Sequence, residues 1–127
     1  DAGGYAGVAL RFIDIVESGK SGSMILCVPN RGAIPGLLDE DIVEITCGIT
    51  REGCSPHPAA DGDERALEMI RRVKAYERLA SKAIREKSRA ALVDCLMLHP
   101  LVNSYSLAVR LADAYIALNK EYSDGWK

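Results

Sequence analysis

The hydrophobic pattern of this chain changes period at the polar run Asp61-Gly62-Asp63, and that change limits the fold more than any other feature. Before it, apolar residues come in short runs bounded by turn chemistry. Met24-Ile25-Leu26-Cys27-Val28 is closed by Pro29 and predicts a strand. Residues 42–50 are β-branched and alternate in part, which predicts a second strand. Arg51-Glu52-Gly53 turns the chain into a shorter extended piece before Pro56 and Pro58. After the switch the spacing is helical. Val73, Tyr76, Leu79, Ala80, Ala83 and Ile84 stripe a long helix over about 64–87. A shorter helix is predicted over 90–98, Pro100 breaks the chain, and a last helix spans about 106–122. Ahead of the strands, Val8, Ala9, Phe12, Ile13 and Val16 predict an amphipathic helix stopped by Gly19. Helix, strands, then three helices is the order of an α+β domain, a small antiparallel or mixed sheet packed with helices.

A length of 127 residues predicts one domain, residues 1–127. A net charge of -2 leaves no electrostatic footprint for nucleic acid or anionic lipid. No apolar run approaches the roughly 20 residues of a membrane helix. Cys27, Cys47, Cys54 and Cys95 form no Cys-x-x-Cys pair, and Cys47, Cys54 and His57 match no structural zinc spacing. They are expected to be buried free thiols in a reducing cytoplasm. The chain opens on Asp1 rather than Met, so it is read as a piece of a longer protein.

Three segments carry a family resemblance, in order along nearly the whole chain. Gly3-Gly4-Tyr5 is followed by Val8-Ala9-Leu10 at the start of a helix. Pro29-Asn30-Arg31-Gly32-Ala33-Ile34-Pro35 precedes the strand containing Val43-Glu44-Ile45. Tyr76-Glu77-Arg78-Leu79 leads through an Ala-rich helix to Pro100-Leu101-Val102. Together they resemble the C-terminal domain of the family 4 glycosidases, the NAD- and metal-dependent enzymes that include 6-phospho-β-glucosidases. The resemblance implies a fold like the C-terminal domain of lactate and malate dehydrogenases. It also implies a substrate-side domain whose N-terminal Rossmann partner, with NAD and a divalent metal such as manganese, lies outside this chain. A cytoplasmic homo-oligomer acting on a phosphorylated or plain glycoside is the expected whole, and this piece alone is expected to be inactive.

Such enzymes stand outside the usual two-carboxylate chemistry of glycosidases. In the family the sugar 3-hydroxyl is oxidised, the metal polarises the ketone, and a tyrosine removes the proton on carbon 2. The glycosidic oxygen then leaves, water adds, and the hydride returns. Tyr5 is the residue that the Gly-rich motif carries over as the base, although many members have adjacent tyrosines where Tyr5 stands alone and Gly7 follows. A phenol has an ordinary pKa of about 10, so a base working near neutrality needs a neighbouring cation. Read without the resemblance, Tyr5 is a half-buried ring at a helix start.

Asn30, Arg31 and Gly32 are the candidate substrate-binding residues. An arginine in such a loop can hold a 6-phosphate through charge-assisted, bidentate hydrogen bonds. A turn whose Asn is left-handed and whose Arg points to water is the other reading, and both stand. No residue here is assigned to cofactor or metal: there is no Gly-x-Gly-x-x-Gly, and the family's metal-binding Cys and His belong upstream. His57, between prolines, is expected to be solvated, and His99 to end a helix. The mixed charges of 64–87 read as a solvated helix face. A sugar-binding or oligomerisation domain without catalysis is the competing class. A lactate/malate-type dehydrogenase is a third, for which no catalytic histidine motif is seen.

Overall fold

The computed structural model describes residues 4–59 and 62–127. The chain divides into two compact units, 1–61 and 62–127. The first holds helix α1 (Tyr5–Ser18) and three strands, β1 (Gly22–Pro29), β2 (Ile42–Thr50) and β3 (Gly53–Pro56). The strands form an antiparallel sheet in the order β1-β2-β3. Together with three helices in the second unit this is an α+β chain, as its change of period predicts.

Side chains alternate across a strand, so one register decides what each strand buries. In β2 the inward set is Val43, Ile45, Cys47 and Ile49, and in β3 it is Cys54 and Pro56. β1 turns Met24, Leu26 and Val28 inward and leaves Ser23, Ile25 and Cys27 outside. The expectation that all four thiols are buried therefore fails at Cys27, which is exposed. An apolar run five residues long hides the alternation, and Cys27 falls on its outer phase.

α1 is bounded by two glycines with positive φ, Gly4 at its start and Gly19 at its end. Gly19 ends it where the stop signal lies. α1 packs on β2, with Ile15 as its buried residue and Phe12 and Val16 half-buried. Val8, Ala9 and Ile13, all expected on the buried face, are exposed. The packed stripe lies over Phe12, Ile15 and Val16 instead.

In the second unit α2 (Glu64–Glu86), α3 (Arg89–Leu98) and α4 (Tyr105–Leu118) each start on a side-chain cap. Asp63, Ser88 and Ser104 accept from the backbone N–H groups of Arg65, Ala91 and Leu107. α3 packs on both α2 and α4, and it buries Leu92, Val93, Cys95 and Leu96. Ala83, Ala108 and Ala112 are sealed in the same core. α4 ends at Leu118 rather than near 122. The Asn119 amide donates to the Tyr115 carbonyl (2.9 Å), and Tyr122 and Ser123 fold back onto the Asn119 carbonyl. The chain then returns so that Lys127 exchanges hydrogen bonds with Lys87 and Arg89 (2.8 Å each). No helix among the described residues is long and apolar enough to cross a membrane.

Candidate functional site

The loop between β1 and β2 is built from its backbone outward. The β1–β2 ladder continues one step past Pro29 and Ile42, where Asn30 N–H donates to the Asp41 carbonyl (2.8 Å). Arg31 N–H reaches the Asp39 carbonyl (3.0 Å). Ala33 N–H then closes a turn on the Asn30 carbonyl (2.8 Å). The two central residues of that turn, Arg31 (φ 47°) and Gly32 (φ 79°), both have positive φ. Gly32 takes this conformation without strain, whereas an arginine there costs about 1 kcal/mol or more.

Asn30 is completely buried, and its side chain is used up inside the loop. Its Oδ1 accepts from Ile34 N–H (2.8 Å), while its Nδ2 donates to the carbonyls of Ile34 (3.2 Å) and Leu37 (3.5 Å). Of the two sequence readings of this turn, the left-handed residue is thus Arg31 and not Asn30. The Arg31 side chain is exposed, and Gly32 borders open space. Asp41 is a second buried polar residue in this frame that the sequence reading passed over. Its Oδ2 accepts from Leu38 N–H (3.0 Å). The signal was the acidic run Asp39-Glu40-Asp41 directly before β2, which reads as surface charge unless a turn is recognised there.

Tyr5 is the first residue of α1, behind Gly4. The residue is 96% exposed, and its side chain makes no hydrogen bond to the described residues. The half-buried helix-start reading does not hold. Gly3 lies outside the described residues. Gly4 sits at φ 74° and ψ -156°, a backbone position that favours glycine and lets the chain enter α1 at Tyr5.

The described residues assemble no group of three or more His, Cys, Asp or Glu suited to a metal ion. The strand register explains why Cys47, Cys54 and His57 do not converge. Both cysteines belong to the inner face, whereas His57 bonds to Thr46 and lies over Gly48, on the outer phase of β2. Burial pushes the Cys47 thiol up, with Cys54 nearby adding to the effect. His99 caps the end of α3, accepts from Leu101 N–H (3.2 Å) and packs its ring edge-on against Tyr76 (4.8 Å). Nor does the antiparallel sheet offer the strand, Gly-rich turn and helix that hold a dinucleotide. The described residues by themselves form no site for NAD or a metal ion.

The family model for the family 4 glycosyl hydrolase C-terminal domain matches residues 2–102, which include Tyr5 and the whole β1–β2 loop. The chain belongs to that family. This family 4 domain is 30% identical to the 6-phospho-beta-glucosidase of Thermotoga maritima over 93% of its own length and 28% of the relative's. It thus spans little more than a quarter of that protein. A structure of the Thermotoga maritima 6-phospho-beta-glucosidase with manganese, NAD+ and glucose-6-phosphate is similar to it, with a TM-score of 0.80 and 30% identity. That match covers 94% of the domain and 30% of the solved chain. A gut-microorganism 6-phospho-alpha-glucosidase in complex with NAD and glucose-6-phosphate superposes with a TM-score of 0.87 and 25% identity. It covers 98% of the domain and 28% of the solved chain. Homologues of the domain are therefore 6-phosphoglucosidases.

Proposed function

We propose that the protein containing this domain hydrolyses 6-phospho-β-glucosides, and that the domain supplies one wall of the active site. The observation that carries the proposal is the position of Arg31. It is an exposed cation on a loop whose backbone is held by hydrogen bonds to the buried Asn30 side chain, in a chain whose relatives are 6-phosphoglucosidases. Its guanidinium is the group for the 6-phosphate, since a fork of N–H donors matches phosphate oxygens. Gly32 keeps the approach open.

Tyr5 is the candidate base. An exposed phenol at a helix start has no bond to break before it meets a substrate, and its task would be to take the proton on carbon 2 of the sugar. NAD and manganese, which are present in structures of relatives, would be held by the rest of the protein and would supply hydride exchange and carbonyl polarisation. On this reading the ligands of both come from the rest of the protein, and the domain is inactive alone. Assembly into a cytoplasmic homo-oligomer belongs to the same proposal, and exposed Leu101, Leu118 and Tyr122 offer apolar surface for it.

The test is nitrophenol release from the nitrophenyl 6-phospho-β-glucoside by the full-length protein, with and without NAD and manganese. Activity that needs both, and that falls at least about a thousandfold in Tyr5→Phe, supports the whole proposal. Activity that survives the substitution keeps the enzyme and removes Tyr5. No turnover of either anomer, phosphorylated or plain, leaves a sugar-binding or oligomerisation domain.

A further inference from the structure

Asn30 presents no polar atom at the surface, yet the loop is arranged around it. Its side chain spans the turn by bonding both the N–H and the carbonyl of Ile34, and it reaches on to the carbonyl of Leu37. Its own backbone is tied to Asp41 on one side and Ala33 on the other. Between those ties lie Arg31 and Gly32, the two residues with positive φ. An arginine does not choose that conformation unaided, so the surrounding bonds must hold it.

We infer that Asn30 is a positioning residue. Its buried amide holds Arg31 in the left-handed conformation that aims the guanidinium out of the loop, and so it sets affinity for a phosphorylated substrate without touching it. Asp41 completes the frame by receiving Asn30 N–H on its carbonyl and Leu38 N–H on its carboxylate. This rests on the proposed contact between Arg31 and phosphate. The division of labour is physical. A buried, fully bonded amide is stiff, whereas an exposed guanidinium on a flexible backbone would lose affinity to the entropy of being ordered.

The experiment is a double-mutant cycle in the full-length protein, with KM and kcat measured for the nitrophenyl 6-phospho-β-glucoside. Arg31→Ala is expected to raise KM about tenfold or more, the scale of a lost charged hydrogen bond. Asn30→Ala is expected to raise KM nearly as far with kcat within about twofold, and to add nothing in the Arg31→Ala background. Gly32→Ala covers the case in which Asn30→Ala fails to fold. Its methyl meets nothing within 4 Å, so it disturbs only the turn, and KM should again rise while kcat holds. If Asn30→Ala or Gly32→Ala raises KM equally with and without Arg31, or lowers kcat instead, the positioning role is overturned. If Arg31→Ala leaves KM unchanged, the phosphate contact itself is wrong and the inference falls with it.

Discussion

Arg89 and Asp113, 24 residues apart, meet through two hydrogen bonds of 2.6 and 3.1 Å that tie the start of α3 to α4. The pairing pulls the Asp113 carboxyl below its ordinary range and raises the Arg89 guanidinium. The sign follows from linkage. Asp113 binds its proton more weakly in the folded state, so the stabilisation is whole above the ordinary aspartate pKa of about 3.9. It is lost as pH falls through the lowered folded value. Asp113→Asn should therefore lower the melting temperature near neutral pH and make no difference once both forms are well into acid. Both side chains are about half exposed, so added salt should shrink the gap. A gap of constant size from neutral to acid pH would assign the effect to packing.

Gly22 opens β1 directly under α1. A Cβ built there would collide with Cδ1 and Cγ1 of Ile15, the buried residue of that helix. Gly22→Ala should cost about 1–3 kcal/mol, as overpacking does. Ile15→Val removes Cδ1, so Gly22→Ala should cost less in the Ile15→Val background than in the wild type. Urea unfolding of the four combinations reads the coupling. Strict additivity would mean that α1 does not rest on β1 through this contact.

Much of this architecture was legible because long periodic segments are the strongest signal a sequence carries. β2 spans the predicted residues, α2 ends at Glu86 and α3 begins at Arg89, each within one residue of expectation, and α3 ends at Leu98 as the pattern implies. What failed depended on phase or on competing local bonds. The buried side of α1 is set by which residues meet the sheet, and Ile15 prevails over Ile13 although the two are chemically alike. α4 stops at Leu118, where Lys120 N–H turns back to the Ala117 carbonyl instead of continuing the helix, and no periodicity reports that. At the candidate site Arg31 and Gly32 were visible as turn chemistry. The burial of Asn30 was not, since a polar residue beside Pro and Gly reads as surface until its partners are known.

The four thiols should be distinguishable by rate. Cys27 is exposed on the outer phase of β1, Cys54 is half-buried, and Cys47 and Cys95 are sealed. Burial pushes the last two up from their ordinary range, so they hold little thiolate near neutral pH. An aromatic disulfide reagent at pH 8 should label Cys27 in a fast phase that Cys27→Ser abolishes. Cys47 and Cys95 should react only as fast as the chain opens or in denaturant. A fast phase that survives Cys27→Ser and matches more than Cys54 would contradict the register of β1.

Ala108 and Ala112 sit one turn apart on α4, both fully buried, where the helix packs on α3. Small side chains at these positions allow the helices to approach, and the space is already filled by Leu92, Val93 and Leu96. Ala108→Leu should thus destabilise by about 1–3 kcal/mol even though leucine is a good helix former. Ala117→Leu, on the same helix but exposed, is the control and should stay within about 0.5 kcal/mol of the parent. Denaturant titrations of both variants make the comparison at equal helix propensity. An Ala108→Leu protein as stable as the Ala117→Leu control would show that α4 can move away from α3 without loss, and that the alanines do not set the distance between the two helices.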